Sequence, residues 1–187
     1  MTGAEFDVWV RSGADGSRRY QLIDGAVHAM APASTTHGSI QANLCAMLVR
    51  HLDAPGARCR VVTAPAIAIR IRARDNRRVP DLGVTCAPDR AGDVVLPDPI
   101  LLIEILSPGN AKDTWDNVRG YASIPSVLDI LVVNSLKVEA ELWSRQTDGT
   151  WPAEPALIAV GDTLRLSSIE CEASLESAYA KTHLANS

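Results

Sequence analysis

A glutamate interrupts a run of aliphatic residues. The run is Ile100-Leu101-Leu102-Ile103-Glu104-Ile105-Leu106, which is typical of a buried strand and ends at Ser107-Pro108. A carboxylate among aliphatic neighbours is costly to desolvate unless hydrogen bonds or a cation meet it. We therefore expect Glu104 to have a partner, and a divalent metal ion is one candidate.

A second acid stands where another apolar stretch begins, in Pro80-Asp81 followed by Leu82-Gly83-Val84. If the two stretches are neighbouring strands, the carboxylates of Asp81 and Glu104 come together and repel each other. Mg²⁺ relieves such repulsion, since it binds carboxylate oxygens while keeping several waters. Two structural alternatives stay open here: Glu104 in an ion pair with an arginine, and Asp81 as a turn cap after Pro80.

Composition predicts one globular domain, with 187 residues of which 47% are hydrophobic and 21% charged. The formal net charge of -4 excludes a strongly basic surface over the whole chain. Five arginines nevertheless fall within the nine residues 70–78. We interpret this stretch as a solvated hairpin tip, with a local basic patch for nucleic acid as the alternative.

The cysteines and the absence of long apolar runs bear on location. None of the four cysteines forms a C-x-x-C pair, so a zinc site is not expected, and Cys45 and Cys86 are predicted to be small core residues. Glu5 and Asp7 argue against a signal peptide, and no apolar run is long enough for a membrane span. The prediction is a soluble protein of a reducing cytoplasm.

Turn and periodicity signals predict an α/β (α+β) fold with a central mixed β-sheet flanked by helices. Asp24-Gly25 between two short strands predicts an N-terminal β-hairpin. Helical spacing predicts a helix over 36–52, with His37 in its first turn and on its inner side. Further helices are expected near 113–122 and, at the end of the chain, near 172–182.

From about Tyr20 to Tyr179 the chain resembles the Uma-two family of restriction-endonuclease-like proteins, within the PD-(D/E)XK nuclease superfamily. The matching pieces, in chain order, are Tyr20-Gln21-Leu22-Ile23-Asp24-Gly25, Pro32 with Ser34, His37, Val79-Pro80-Asp81, Ile103-Glu104-Ile105-Leu106-Ser107-Pro108, Asp113, and Tyr121 followed by Ile124-Pro125. The string Glu-Ile-Leu-Ser-Pro after a Pro-Asp is specific when a hairpin and a helix stand in this order.

This resemblance implies a restriction-endonuclease-like core forming a single domain over 1–187, with 1–18 as an N-terminal extension. It implies Mg²⁺ (or Mn²⁺) held by Asp81, Glu104 and the carbonyl of Ile105, with His37 as a further catalytic residue. The inherited chemistry is hydrolysis of phosphodiester bonds in DNA. A homodimer is expected, because paired cuts on duplex DNA need two active sites.

The chain lacks positive charge at two positions where the resemblance implies it. The superfamily carries a lysine two residues after the glutamate, where this chain has Leu106, and an aliphatic residue there is common in the Uma-two family. Relatives often carry a lysine on the following helix, at the position of Asn117 here. Lys112 and Arg119 are the candidate substitutes. The departures favour an alternative function, a catalytically weakened nucleic-acid- or protein-binding module that retains the nuclease fold.

Three residues of the pattern have a second interpretation, and a fourth departs from the family. His37 is either near the metal or a hydrogen-bonded histidine at the edge of the core. Tyr121 is expected to pack rather than to touch phosphate, and Asp113 to cap its helix. Gln21 replaces the acid that relatives carry beside the first tyrosine.

Overall fold

The computed structural model describes residues 1–13, 18–54, 56–71, 74–109 and 111–185, with the backbone alone at 70, 71 and 74. The α-helices of this described part are α1 (Gly3–Arg11), α2 (Thr35–Leu52) and α3 (Ala111–Tyr121). Its strands are β1 (Tyr20–Ile23), β2 (Ala26–Ala29), β3 (Arg60–Thr63), β4 (Ile67–Ile71), β5 (Arg74–Arg78), β6 (Leu82–Thr85), β7 (Pro99–Leu106), β8 (Asp129–Asn134), β9 (Glu139–Ser144), β10 (Ala156–Ala159), β11 (Thr163–Leu166) and β12 (Cys171–Ser174).

The strands form three sheets. The largest has six strands in the order β10-β9-β8-β7-β6-β3, and it is mixed because β7 and β8 run parallel while its other pairs are antiparallel. A four-stranded antiparallel sheet has the order β2-β1-β5-β4 and contains the predicted hairpin β1–β2. β11 and β12 form a separate pair. The predicted mixed sheet with flanking helices and an N-terminal hairpin is confirmed.

Strand β7 lies inside the six-stranded sheet and contributes to both hydrophobic clusters of the core. Ile103 and Ile105 belong to the cluster that α2 covers with Ile40, Leu44 and Leu48. Leu102 belongs to the second cluster, which contains Val118 and Tyr121 of α3. Because side chains alternate along a strand, Glu104 shares the α3 face with Leu102.

The C-terminal prediction of a helix over 172–182 is wrong. Cys171–Ser174 is strand β12, and a short 3-10 helix follows at Leu175–Tyr179. The glutamate and alanine content favours a helix locally, but β12 alternates buried and exposed residues and pairs with β11 along its whole length. Tertiary pairing therefore overrides helix propensity here.

The arginine-rich stretch is also corrected. Arg74–Arg78 is strand β5 inside the four-stranded sheet, and Asn76 and Arg78 are buried. Arg77 forms a two-point ion pair with Asp7 of α1, with nitrogen–oxygen distances of 2.9 and 2.8 Å. Residues 72 and 73, at the turn, lie outside the described part of the chain. A solvated tip therefore does not describe the C-terminal half of this stretch.

The cysteine predictions are partly wrong. Cys45 is half-buried and packs against the core, but Cys86 is exposed and forms a disulfide with Cys59. The two flank the antiparallel pair β3–β6, in which Arg60 stands opposite Thr85. Location in a reducing cytoplasm stays a prediction, and the disulfide weighs against it, because such bonds are rare there.

None of the helices in the described ranges has both the length and the apolar character that crossing a membrane requires.

Candidate functional site

The two predicted acids meet at one end of the six-stranded sheet. In the antiparallel β6–β7 register Leu82 stands opposite Ile103. Asp81, one residue before Leu82, therefore lies beside Glu104, one residue after Ile103. The backbone N–H of Ile105 donates to Asp81 Oδ2 at 2.7 Å. Sequence reasoning predicted this meeting of Asp81 and Glu104, and the strand pairing explains it.

Glu104 is only 4% exposed and is held by helix α3. Its Oε1 accepts hydrogen bonds from Tyr121 Oη at 2.7 Å and from Asn117 Nδ2 at 3.0 Å. Asn117 and Tyr121 are four residues apart, so they lie on the same face of α3. Within the described residues no donor reaches Glu104 Oε2. One oxygen is therefore fixed by the protein, while the other is left for a further partner.

The electrostatics of the pair is unfavourable without a proton or a cation. Burial, followed by the charge of Asp81, raises the pKa of Glu104 to about 8. Hydrogen bonds from Tyr121 and Asn117 and the charge of Arg78 act in the opposite direction. Burial, followed by the nearby Glu104, likewise raises the pKa of Tyr121 well above its usual value. The two carboxylates therefore attract a positive charge.

Helix α2 contributes His37 and Gln41 to the same place. Ser34 caps the helix by accepting a hydrogen bond from the backbone N–H of His37 at 3.1 Å, which fixes the first turn. His37 Nε2 lies 3.3 Å from Asp81 Oδ2, and Gln41 Nε2 donates to the Asp81 carbonyl at 2.8 Å. His37 Nδ1 is buried and has no hydrogen-bond partner among the described residues.

The carbonyl of Ile105 faces the Asp81 side of β7. In an extended strand the N–H and C=O of one residue point to the same edge. Ile105 N–H donates toward Asp81, whereas the neighbouring Leu106 carbonyl accepts from Ser135 N on the opposite side. The backbone direction is thus compatible with the predicted role of this carbonyl.

The acids open into a cavity of about 820 Å³. Asp81, Glu104, His37 and Gln41 border it, together with Gln21, Asn117, Asp113, Arg18 and Arg19. A volume of this size is typical of ligand sites. Asp113 is the third residue of α3, so it is not the N-cap that the sequence suggested.

The donor set suits Mg²⁺ better than a softer metal. No group of three or more histidine, cysteine or acidic side chains suited to a metal occurs in the ranges that the structure describes. Two carboxylates and a backbone carbonyl match Mg²⁺, which takes oxygen ligands and keeps several waters. The repulsion between Asp81 and Glu104 is the structural sign that such a cation fits.

The candidate substitutes for the missing lysines do not reach the site. Lys112 and Arg119 are exposed on α3 and both pair with Asp116, at 3.2 and 2.7 Å. Leu106 packs against the core, and Asn117 donates to Glu104. Sequence reasoning left open an arginine as the partner of Glu104 without saying which one. Arg78 is the buried arginine whose charge lowers the pKa of Glu104.

A family model described as "Putative restriction endonuclease" matches residues 4–176, which is most of the chain. The chain belongs to the Uma2 family. The predicted resemblance to the Uma-two family is thereby confirmed. The chain is also 34% identical over 135 residues to the "Uncharacterized protein slr1290" of Synechocystis sp., a match that covers 71% of this chain and 70% of that protein.

A solved structure shares the fold of this chain. The crystal structure of a "putative nuclease belonging to DUF820" from Anabaena variabilis superimposes with a TM-score of 0.69. The match covers 87% of this chain and 90% of the other, at 15% sequence identity. The nuclease-like fold predicted from the sequence is therefore confirmed.

Proposed function

We propose that this protein is a Mg²⁺- or Mn²⁺-dependent endonuclease that hydrolyses phosphodiester bonds in DNA. The observation that carries the proposal is the pair of buried carboxylates, Asp81 and Glu104, at the wall of one cavity. Membership of a family described as "Putative restriction endonuclease" supports it. Asp81, Glu104 and the carbonyl of Ile105 would hold the cation.

Each residue of the site has a separate task in this proposal. When bound, the divalent cation would neutralise charge on the phosphate and lower the pKa of a water molecule. Tyr121 and Asn117 orient Glu104 through Oε1. His37 Nε2 and the Ile105 N–H both approach Asp81 Oδ2 and fix its orientation. Because His37 Nδ1 is buried, we assign His37 as a positioning residue for Asp81.

Two parts of the proposal concern partners. The net charge of -4 means that DNA would be bound locally at the cavity rather than over a broad basic face. A homodimer would bring two such cavities to the two strands of a duplex.

A second candidate function is a binding module that retains the fold without cleaving. It is favoured by one observation: Asn117 satisfies Glu104 with a neutral amide, so α3 brings no charge to the cavity at that position. This candidate predicts salt-sensitive DNA binding without cleavage.

A plasmid-cleavage assay with Mg²⁺ or Mn²⁺ tests the first proposal. We expect Asp81→Asn and Glu104→Gln each to lower the cleavage rate by at least about a hundred-fold, since each removes a charged ligand. Glu141→Gln is the matched control: it removes a carboxylate from β9, outside the cavity, and should leave the rate unchanged.

Equal cleavage by the wild type and by both site variants would identify a contaminant and reject the assignment. DNA binding without cleavage in the wild type would favour the second candidate.

A further inference from the structure

Arg78 carries a buried charge that the proposed chemistry does not yet use. Its side chain lies on β5, and the residue is only 5% exposed. Its Nε is buried and has no hydrogen-bond partner among the residues that the structure describes. Arginine is rarely buried unless it is paired. Arg78 therefore keeps a buried donor that the described residues do not satisfy.

Gln21 is the neighbour of Arg78 on the cavity side. In the β1–β5 register Leu22 stands opposite Arg77, so one step along the strands Gln21 stands opposite Arg78. Directly opposed residues of antiparallel strands point to the same face. Gln21 borders the 820 Å³ cavity, so its amide N–H groups are the part of the side chain that could donate to a phosphate there.

The face that holds Arg78 packs toward the acids. On β4, Ile67 stands opposite Arg78 and belongs to the hydrophobic cluster that contains Leu102 and Tyr121. Glu104 projects from β7 on the side of Leu102 and accepts a hydrogen bond from Tyr121. Consistent with this placement, the charge of Arg78 lowers the pKa of both Glu104 and Tyr121.

The other positive charges near the cavity are placed differently. Arg18 and Arg19 border the cavity but are exposed, so solvent and salt weaken their fields. Lys112 and Arg119 are paired with Asp116 on the outer side of α3. Arg78 differs from all four because it is buried and its Nε has no hydrogen-bond partner among the described residues.

We propose that Gln21, which borders the cavity beside Asp81 and Glu104, and Arg78, which lies in the layer behind it, together form a phosphate-binding subsite. Gln21 presents its amide at the cavity surface, and Arg78 supplies behind it the positive charge that Leu106 and Asn117 do not provide. The ligand is a phosphodiester group of the nucleic acid, an identity that rests on the proposed nuclease function.

Metal-free DNA binding tests this subsite separately from cleavage. Fluorescence anisotropy of a labelled DNA duplex is measured in EDTA between about 20 and 200 mM NaCl. Arg78→Gln should weaken binding roughly ten- to hundred-fold and reduce the slope of log affinity against log salt by about one. Gln21→Leu should weaken binding several-fold without changing the slope, since it removes a contact but no charge.

Arg165→Gln is the matched control, because it removes an exposed arginine that does not border the cavity. Arg165 Nε lies 3.0 Å from Glu172 Oε1. It should leave both the affinity and the slope unchanged. Arg78→Lys keeps the charge and should retain the wild-type slope, which makes the test independent of whether Arg78→Gln folds.

Three results would each overturn the subsite. The first is a wild-type slope and affinity in Arg78→Gln, and the second is a reduced slope in Arg78→Lys. The third is the absence of salt-sensitive DNA binding by the wild type. Loss of cleavage in Asp81→Asn together with any of these results would leave the nuclease proposal standing. A wild type that binds DNA through Arg78 but does not cleave would support the subsite alone.

Discussion

The two large sheets differ in whether a buried charged residue has its hydrogen-bond partners supplied by the protein. The six-stranded sheet buries Glu104 and supplies its hydrogen bonds from α3. The four-stranded sheet buries Gln21 and Arg78 and leaves the Gln21 Oε1 and Arg78 Nε atoms without a partner in the described structure. One sheet thus contributes organised negative charge, and the other contributes positive charge that is not yet satisfied.

This difference suggests how the cavity is built. The acids stand on β7 and at the start of β6, where packing on both faces of the sheet fixes them. Arg78 stands on β5 of the smaller sheet, whose outer strand β2 is exposed along its whole length. A phosphate ligand bound through a divalent cation would interact with both sides of the cavity. The cation would neutralise the acids of the six-stranded sheet, and the phosphate would carry the negative charge that Arg78 attracts.

The largest expected stability effect concerns Glu104. Its pKa is raised from 4.5 to about 8, so the folded state holds the proton more tightly than the unfolded state. That stability is present at low pH and is lost as the pH rises from 4.5 through about 8. In EDTA we expect the free energy of unfolding to fall by roughly 3–5 kcal/mol between about pH 5 and 8, or about 10 °C in Tm.

Thermal unfolding of Glu104→Gln sharpens this expectation, because an amide has no proton to lose in this range. The variant should show a nearly flat Tm between those two pH values, whereas Glu154→Gln, at an exposed position away from the cavity, should keep the wild-type slope. Parallel curves for the wild type and Glu104→Gln would contradict the assignment of the pH dependence to the six-stranded sheet.

Tyr121→Phe is expected to have the next largest effect. It removes the 2.7 Å hydrogen bond to Glu104 and should cost about 2 kcal/mol in urea unfolding at pH 8, with a smaller cost at pH 5. Tyr179→Phe is the matched control, since Tyr179 donates to two backbone carbonyls instead of to a carboxylate. Its cost should be the same at both pH values. A pH-independent cost for Tyr121→Phe would show that its hydroxyl does not act on a titrating Glu104.

Asp7→Asn tests the four-stranded sheet and should have the smallest effect. The Asp7–Arg77 pair joins α1 to β5, with side chains 14% and 13% exposed. Losing its charge should cost about 1 kcal/mol, equally at pH 5 and 8. A loss of stability at pH 8 but not at pH 5 would show that the Asp7–Arg77 pair depends on the ionisation of Glu104. The pH dependence could then no longer be assigned to the six-stranded sheet alone.

The sequence was most informative where burial and polarity conflict. Glu104 was recognisable because aliphatic residues surround it, and Asp81 because it opens the neighbouring strand. The donors Asn117 and Tyr121 have helical spacing, but nothing local indicates which group they bind.

Arg78 was missed because arginine-rich stretches are usually solvated, and only the pairing of β5 with β1 and β4 shows its burial. The disulfide was missed for a similar reason, since Cys59 and Cys86 meet only through the β3–β6 pairing. In the same way, β12 is a strand because it pairs with β11, although its own composition favours a helix. Long-range strand pairing, which local patterns do not encode, accounts for all three errors.

The claim that Asp81 and Glu104 share a divalent cation is tested most directly by a crystal structure soaked in Mn²⁺. The expected result is one anomalous peak bonded to both carboxylates and to the Ile105 carbonyl, with the Tyr121 and Asn117 hydrogen bonds to Glu104 retained. The absence of a peak between Asp81 and Glu104 at a Mn²⁺ concentration that supports DNA cleavage would contradict the claim.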